Sequence, residues 1–146
     1  MLLKRLFDSL RRRGAPKLDD AERLERAVRL MGEGRHAEAE ALLEDALRAA
    51  PDDAGIRNLL ANLALGQGRA GEALTHLDAI RSAPAAESGF MRAQALVGLG
   101  RTDDGLAAYR TLCQDFPGFA AGHAAHGTLL STLGRWDEAV AALREA

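Results

Sequence analysis

The sequence predicts an all-α, right-handed α-solenoid of about four helix–turn–helix repeats. A dipeptide, Gly-Arg, recurs at Gly34-Arg35, Gly68-Arg69, Gly100-Arg101 and Gly134-Arg135, at spacings of 34, 32 and 34 residues. Proline closes three of the units so marked, at Pro51, Pro84 and Pro117. The composition is rich in alanine, leucine, arginine and glutamate and poor in β-branched residues. Straight side chains lose little rotamer freedom in a helix, so this bias favours helices over strands.

The segments that follow each Gly-Arg are themselves alike: GRHAEAEALLEDAL, GRAGEALTHLDAI, GRTDDGLAAYRTL and GRWDEAVAALREA. Five positions after the glycine stand Ala39, Ala73, Gly105 and Ala139. In the preceding helix the small residue is Ala27, Ala61, Ala93 or Gly127, followed three places later by Leu30, Ala64, Leu96 or Leu130. Leu43, Leu77, Tyr109 and Leu143 supply the large residue of the second helix, with Ala46, Ile80, Leu112 and Ala146 three places on. Small residues let antiparallel helices approach, and larger ones fill the grooves beside them. Glycine ends the first helix by taking a left-handed conformation, and proline ends the second because it cannot donate to it.

This pattern resembles the tetratricopeptide repeat family over roughly residues 20–146. The chain departs from it at the tryptophan position, which holds Arg23, Arg57, Gly89 and His123. The spacing predicts helices over 20–32, 36–49, 54–66, 70–82, 86–98, 103–115, 120–133 and 136–146. The repeats are then 20–53, 54–85, 86–119 and an incomplete 120–146, within a solenoid of residues 18–146.

Residues 1–17 form a different segment. Lys4, Arg5, Arg11, Arg12, Arg13 and Lys17 stand against Asp8 alone, a balance of +5 in a chain of net charge −2. Leu2, Leu3, Leu6, Phe7 and Leu10 recur at helical spacing beside those charges. The segment is expected to cover the first repeat or to order on contact. A sharper reading places residues 2–13 in the plane of an anionic membrane, through Lys4, Arg5, Phe7, Arg11, Arg12 and Arg13. At the other end Val140 and Leu143 are expected near an open face, with no capping helix after Ala146. Further repeats, a partner chain or self-association would cover that face.

Several function classes are disfavoured. A pI near 6.1 argues against a nucleic-acid binder, and no apolar run is long enough to span a bilayer. The single Cys113 fits a reducing compartment, and the cytoplasm is the expected location. His123 and His126 sit three apart on one helix, but a zinc site needs three or four ligands and none stands nearby in sequence. His36 and His76 are expected to face solvent. Asp52-Asp53 and Asp103-Asp104 read as helix-start residues. No nucleophile, base and oxyanion donor assemble, so neither catalysis nor a cofactor is expected.

What remains is binding. The resemblance implies that the first helix of each unit lines the concave surface. Two positions four apart hold Leu24 and Val28, Asn58 and Asn62, Phe90 and Gln94, then Ala124 and Thr128. Asparagine amides both donate and accept, and so can hold a peptide backbone whatever its side chains. Asn58, Asn62, Phe90, Gln94 and Thr128 are therefore the candidate contacts. The chain reads as a protein–protein interaction scaffold, an adaptor for an extended peptide or a partner helix. Two other readings are the acceptor-recruiting N-terminal region of a larger glycosyl- or sulfotransferase-like enzyme, and a peripheral membrane adaptor.

Overall fold

The repeated Gly-Arg fixes the local structure of all four units in the same way. A computed structural model describes residues 20–146, with the backbone alone at Asp20; the basic segment 1–17 lies outside the described residues. Gly34, Gly68, Gly100 and Gly134 have φ between 73° and 75°, a conformation open to glycine at little cost. At each, the glycine N–H bonds the carbonyl three residues back and the arginine N–H the carbonyl five back, as in Arg69 N to Ala64 O at 2.8 Å. This is a Schellman closure of the first helix. The same arginine's carbonyl accepts the first hydrogen bond of the second helix, as in Gly105 N to Arg101 O at 2.9 Å. One dipeptide thus ends one helix and begins the next.

The helices are α1 (Asp20–Gly32), α2 (His36–Ala49), α3 (Ala54–Gly66), α4 (Ala70–Asp78), α5 (Ala86–Gly98), α6 (Thr102–Asp115), α7 (Ala120–Thr132) and α8 (Trp136–Arg144). No strand occurs among the described residues. Most bounds match the spacing of the sequence; α4 stops four residues before the expected 82. The second repeat is two residues shorter than its neighbours, and Pro84 denies the preceding residue helical geometry. These account for part of the difference; the helix closes with Ile80 N bonding Leu77 O at 3.2 Å.

The chain divides into two compact units, residues 1–46 and 47–146. In the first, Ala27, Leu30, Ala39, Leu43 and Ala46 are buried. In the second, successive helices pack in pairs and each pair packs on the next. One cluster joins α3, α4 and α5 through Ala61, Ala64, Ala73, Leu77 and Ala95. Another joins α5, α6 and α7 around Ala93, Tyr109 and Leu112, and a third joins α6, α7 and α8 through Leu106, Leu130 and Ala139. The crossing residues Ala61 and Ala93 are wholly buried. Where glycine replaces alanine the approach is closer still: a Cβ on Gly105 would lie 2.5 Å from Val97 Cγ2.

Asp53 starts α3, its Oδ1 accepting from Ile56 N at 2.9 Å. The other helices of this unit have no side-chain cap bond at their first residue. At the Gly-Arg turns an ion pair stands in its place. Arg35 pairs with Glu38, Arg69 with Glu72, Arg101 with Asp104 and Arg135 with Glu138, at 2.6–2.8 Å. The acid lies in the first turn, where the helix dipole favours negative charge. Its arginine partner holds the Glu38 and Glu138 carboxyls below their ordinary range. The signal was present in the sequence as an acid four places after each glycine.

Candidate functional site

Asn62 on α3, Gln94 on α5 and Thr128 on α7 occupy one register, the position after the small crossing residue, and all three are exposed. The crossing residue faces the partner helix, so the next one turns outward. Thr128 Oγ1 donates back to the Ala124 carbonyl at 2.8 Å. The side chains of Asn62 and Gln94 form no hydrogen bond with another described residue, which leaves their amides open to a ligand. α3 and α5 are in contact.

The position one turn earlier behaves differently. Asn58 is half-buried, and its Oδ1 accepts from Ser88 Oγ at 2.9 Å, tying α3 to α5. Phe90 is half-buried and meets Tyr109 and Phe119 edge-on, at centroid distances of 6.0 and 5.8 Å. Both residues serve packing between helices, one turn before the exposed amides. Lys4, Arg5, Phe7, Arg11, Arg12 and Arg13 lie outside the described residues.

The substituted tryptophan position was not recognised in the sequence as a structural device. Arg57 donates Nε and Nη2 to the carbonyl of Pro51 at 3.0 and 2.7 Å. His123 is buried and bonds the Pro117 carbonyl through Nε2 at 3.0 Å. Each side chain closes the turn that delivers its own helix. The recurring interval of six residues from the proline is the signal that could have revealed it.

His126 is stacked on Tyr109, with ring centroids 6.5 Å apart, and its buried Nε2 has no hydrogen-bond partner. Burial, then the positive charge of Arg110, pushes its pKa down, so the ring is predominantly neutral at pH 7. His76 is half-buried, contrary to the expectation that it faces solvent, whereas His36 is exposed. Among the described residues, no three His, Cys, Asp or Glu side chains group to hold a metal ion. Burial raises the Cys113 thiol pKa, which keeps it protonated and a poor nucleophile. No described helix is long and apolar enough to cross a membrane.

A periodic pair of helices joined by a glycine turn, with small crossing residues and an exposed polar row on the first helices, defines a helical-repeat binding protein. Tetratricopeptide-repeat signatures match residues 30–90 and 90–146, and the chain belongs to the tetratricopeptide repeat family. Among solved structures, it is similar to residues 41–end of MamA from Desulfovibrio magneticus RS-1. The TM-score is 0.78 at 17% identity, over 99% of this chain and 90% of that one. It is also similar to TTC0263, a thermophilic TPR protein of Thermus thermophilus. There the TM-score is 0.76 at 24% identity, covering 87% and 72% of the two chains. The comparison with curated proteins gave no match. The repeats make this chain a protein-interaction scaffold.

Proposed function

We propose that the chain is an adaptor that binds an extended peptide or a partner's helix across the first-helix face of its second unit. Asn62 and Gln94 are the principal contacts, Thr128 extends them, and Asn58 and Phe90 form the supporting layer. One observation carries this reading: two exposed amides stand at equivalent positions on adjacent helices without intramolecular partners. Such a pair can donate to and accept from a peptide backbone, giving affinity that depends little on side-chain identity. Binding proceeds without cofactor or turnover, and a single half-buried thiol suits a reducing cytoplasm.

The test is selection of peptides from a random display library on the intact chain, followed by amide chemical-shift mapping of the best binder. The reading expects shifts concentrated on α3 and α5, and at least a tenfold loss of affinity in the doubly substituted Asn62→Ala/Gln94→Ala chain. Peptides that map to another surface, or that bind the double variant unchanged, overturn it.

A further inference from the structure

The third repeat lacks the plug that its neighbours carry. In the second and fourth repeats a flat side chain bearing N–H donors, Arg57 or His123, fills the tryptophan position and bonds the carbonyl six residues before it. In the third repeat that position is Gly89, and the carbonyl six residues before it belongs to Ala83, which receives no hydrogen bond from a described residue. A second departure enlarges the gap: α4 has nine residues where α6 has fourteen, so its last turn is missing beside Gly89.

The result is a cavity of about 440 Å³ walled by Leu77, Ile80, Leu112 and Phe116, with Ala83 and Gly89 among its other lining residues. Its size falls in the roughly 300–1,000 Å³ range of ligand pockets. Arg92 also lines it, but its guanidinium is already engaged by the Asp78 carboxylate and by the Leu77 carbonyl at 3.1 Å. The wall therefore offers no free cation to an acidic ligand. It suits a flat, apolar group with one N–H donor, the chemistry of an indole.

The chain has one tryptophan, Trp136, and it is 66% exposed at the start of α8. Val140 and Leu143 continue an exposed apolar stripe at helical spacing from it. We propose that Trp136 of one copy seats in the Gly89 cavity of a second copy, its flanking stripe extending the contact. Knob and hole are different surfaces of the same chain. The contact is thus heterologous, each copy keeping a knob and a hole for further copies, so copies add head to tail. A contact built on one aromatic knob belongs to the small, transient class of interfaces, and assembly is concentration-dependent. The cavity shares α5 with the first-helix face but is lined there by Ser88, Gly89 and Arg92, not by Phe90 or Gln94.

Sedimentation velocity and tryptophan emission of the intact chain, read across a concentration series, test it. The mean mass is expected to rise with concentration while emission moves to the blue as Trp136 leaves water. Trp136→Ala removes the knob and Gly89→Trp fills the hole, so each variant alone should stay monomeric. Mixed together, they should form a dimer and stop there, since the mixture holds one usable knob and one usable hole. Should Gly89→Trp fail to fold, Thr111→Arg at the cavity mouth serves as the hole-blocking variant. A mass that does not change with concentration, assembly that survives both single variants, or a mixture that stays monomeric overturns the proposal.

Discussion

His123 donates from Nε2 to the carbonyl of Pro117 at 3.0 Å, joining the start of α7 to the turn that precedes it. The ring is 8% exposed, whereas Pro117 is at the surface, so the bond is half-buried. Removing the ring takes away the carbonyl's partner and empties the space of a buried side chain, so the lost bond and the lost packing add.

His123→Ala should therefore lower the unfolding free energy by about 2–3 kcal/mol, combining the lost bond and the lost volume. His123→Gln, which can donate in the same direction, should recover part of it. Arg57→Ala should cost less, since its bonds to Pro51 are exposed. Urea unfolding of the three variants gives the order directly.

Helices approach tightly at Gly105, where an added Cβ would also lie 3.4 Å from Val97 N and 3.5 Å from the Ala93 carbonyl. Alanine is the better helix former by about 1 kcal/mol, but the crowding against Val97 outweighs it. Gly105→Ala should be destabilised by roughly 1–3 kcal/mol. The pair Gly105→Ala with Val97→Ala should be more stable than the sum of the two single changes predicts, because the second makes room for the first. Additive losses would show that the Val97 side chain turns aside without cost.

Burial holds the His126 pKa below its ordinary value of 6.5. The unfolded chain therefore binds a proton more readily than the folded one, and stability rises with pH where the two differ. About a unit above pH 6.5 the ring is neutral in both states and the contribution is constant. As pH falls below that value, the unfolded ring protonates first and stability is lost. Melting curves between pH 7.5 and 5 should show a steeper decline for the natural chain than for His126→Gln. Parallel curves would place the pH response elsewhere.

The fold was legible in the sequence because one short signal sets both helix ends. Gly-Arg specifies the left-handed turn, the end of one helix and the start of the next, and small residues at fixed distances from it mark the crossings. Ala61, Ala93 and Gly127 could be assigned from that register alone, and all are buried. The candidate site was legible only as a register. That Asn62 is free while Asn58 is bonded depends on Ser88, thirty residues away in sequence. The early end of α4 exceeds the two residues by which its repeat is short, so the spacing foretold only part of it. The Gly89 cavity needs that end and the missing side chain together, so neither departure alone announces it.

Asn58 and Asn62, equivalent in the sequence pattern, should separate cleanly by experiment. Asn58→Ala removes the acceptor of a half-buried bond from Ser88 and should cost about 0.5–1.5 kcal/mol of stability. Asn62→Ala touches no intramolecular bond at an exposed site and should stay within about 0.5 kcal/mol of the natural chain. A double-mutant cycle between Asn58→Ala and Ser88→Ala should return a coupling of the size of one hydrogen bond, whereas Asn62→Ala with Ser88→Ala should be additive. If peptide affinity then falls for Asn62→Ala without a change in melting, the residue acts on the ligand. If it falls for Asn58→Ala only in proportion to lost stability, that asparagine acts through the alignment of α3 on α5.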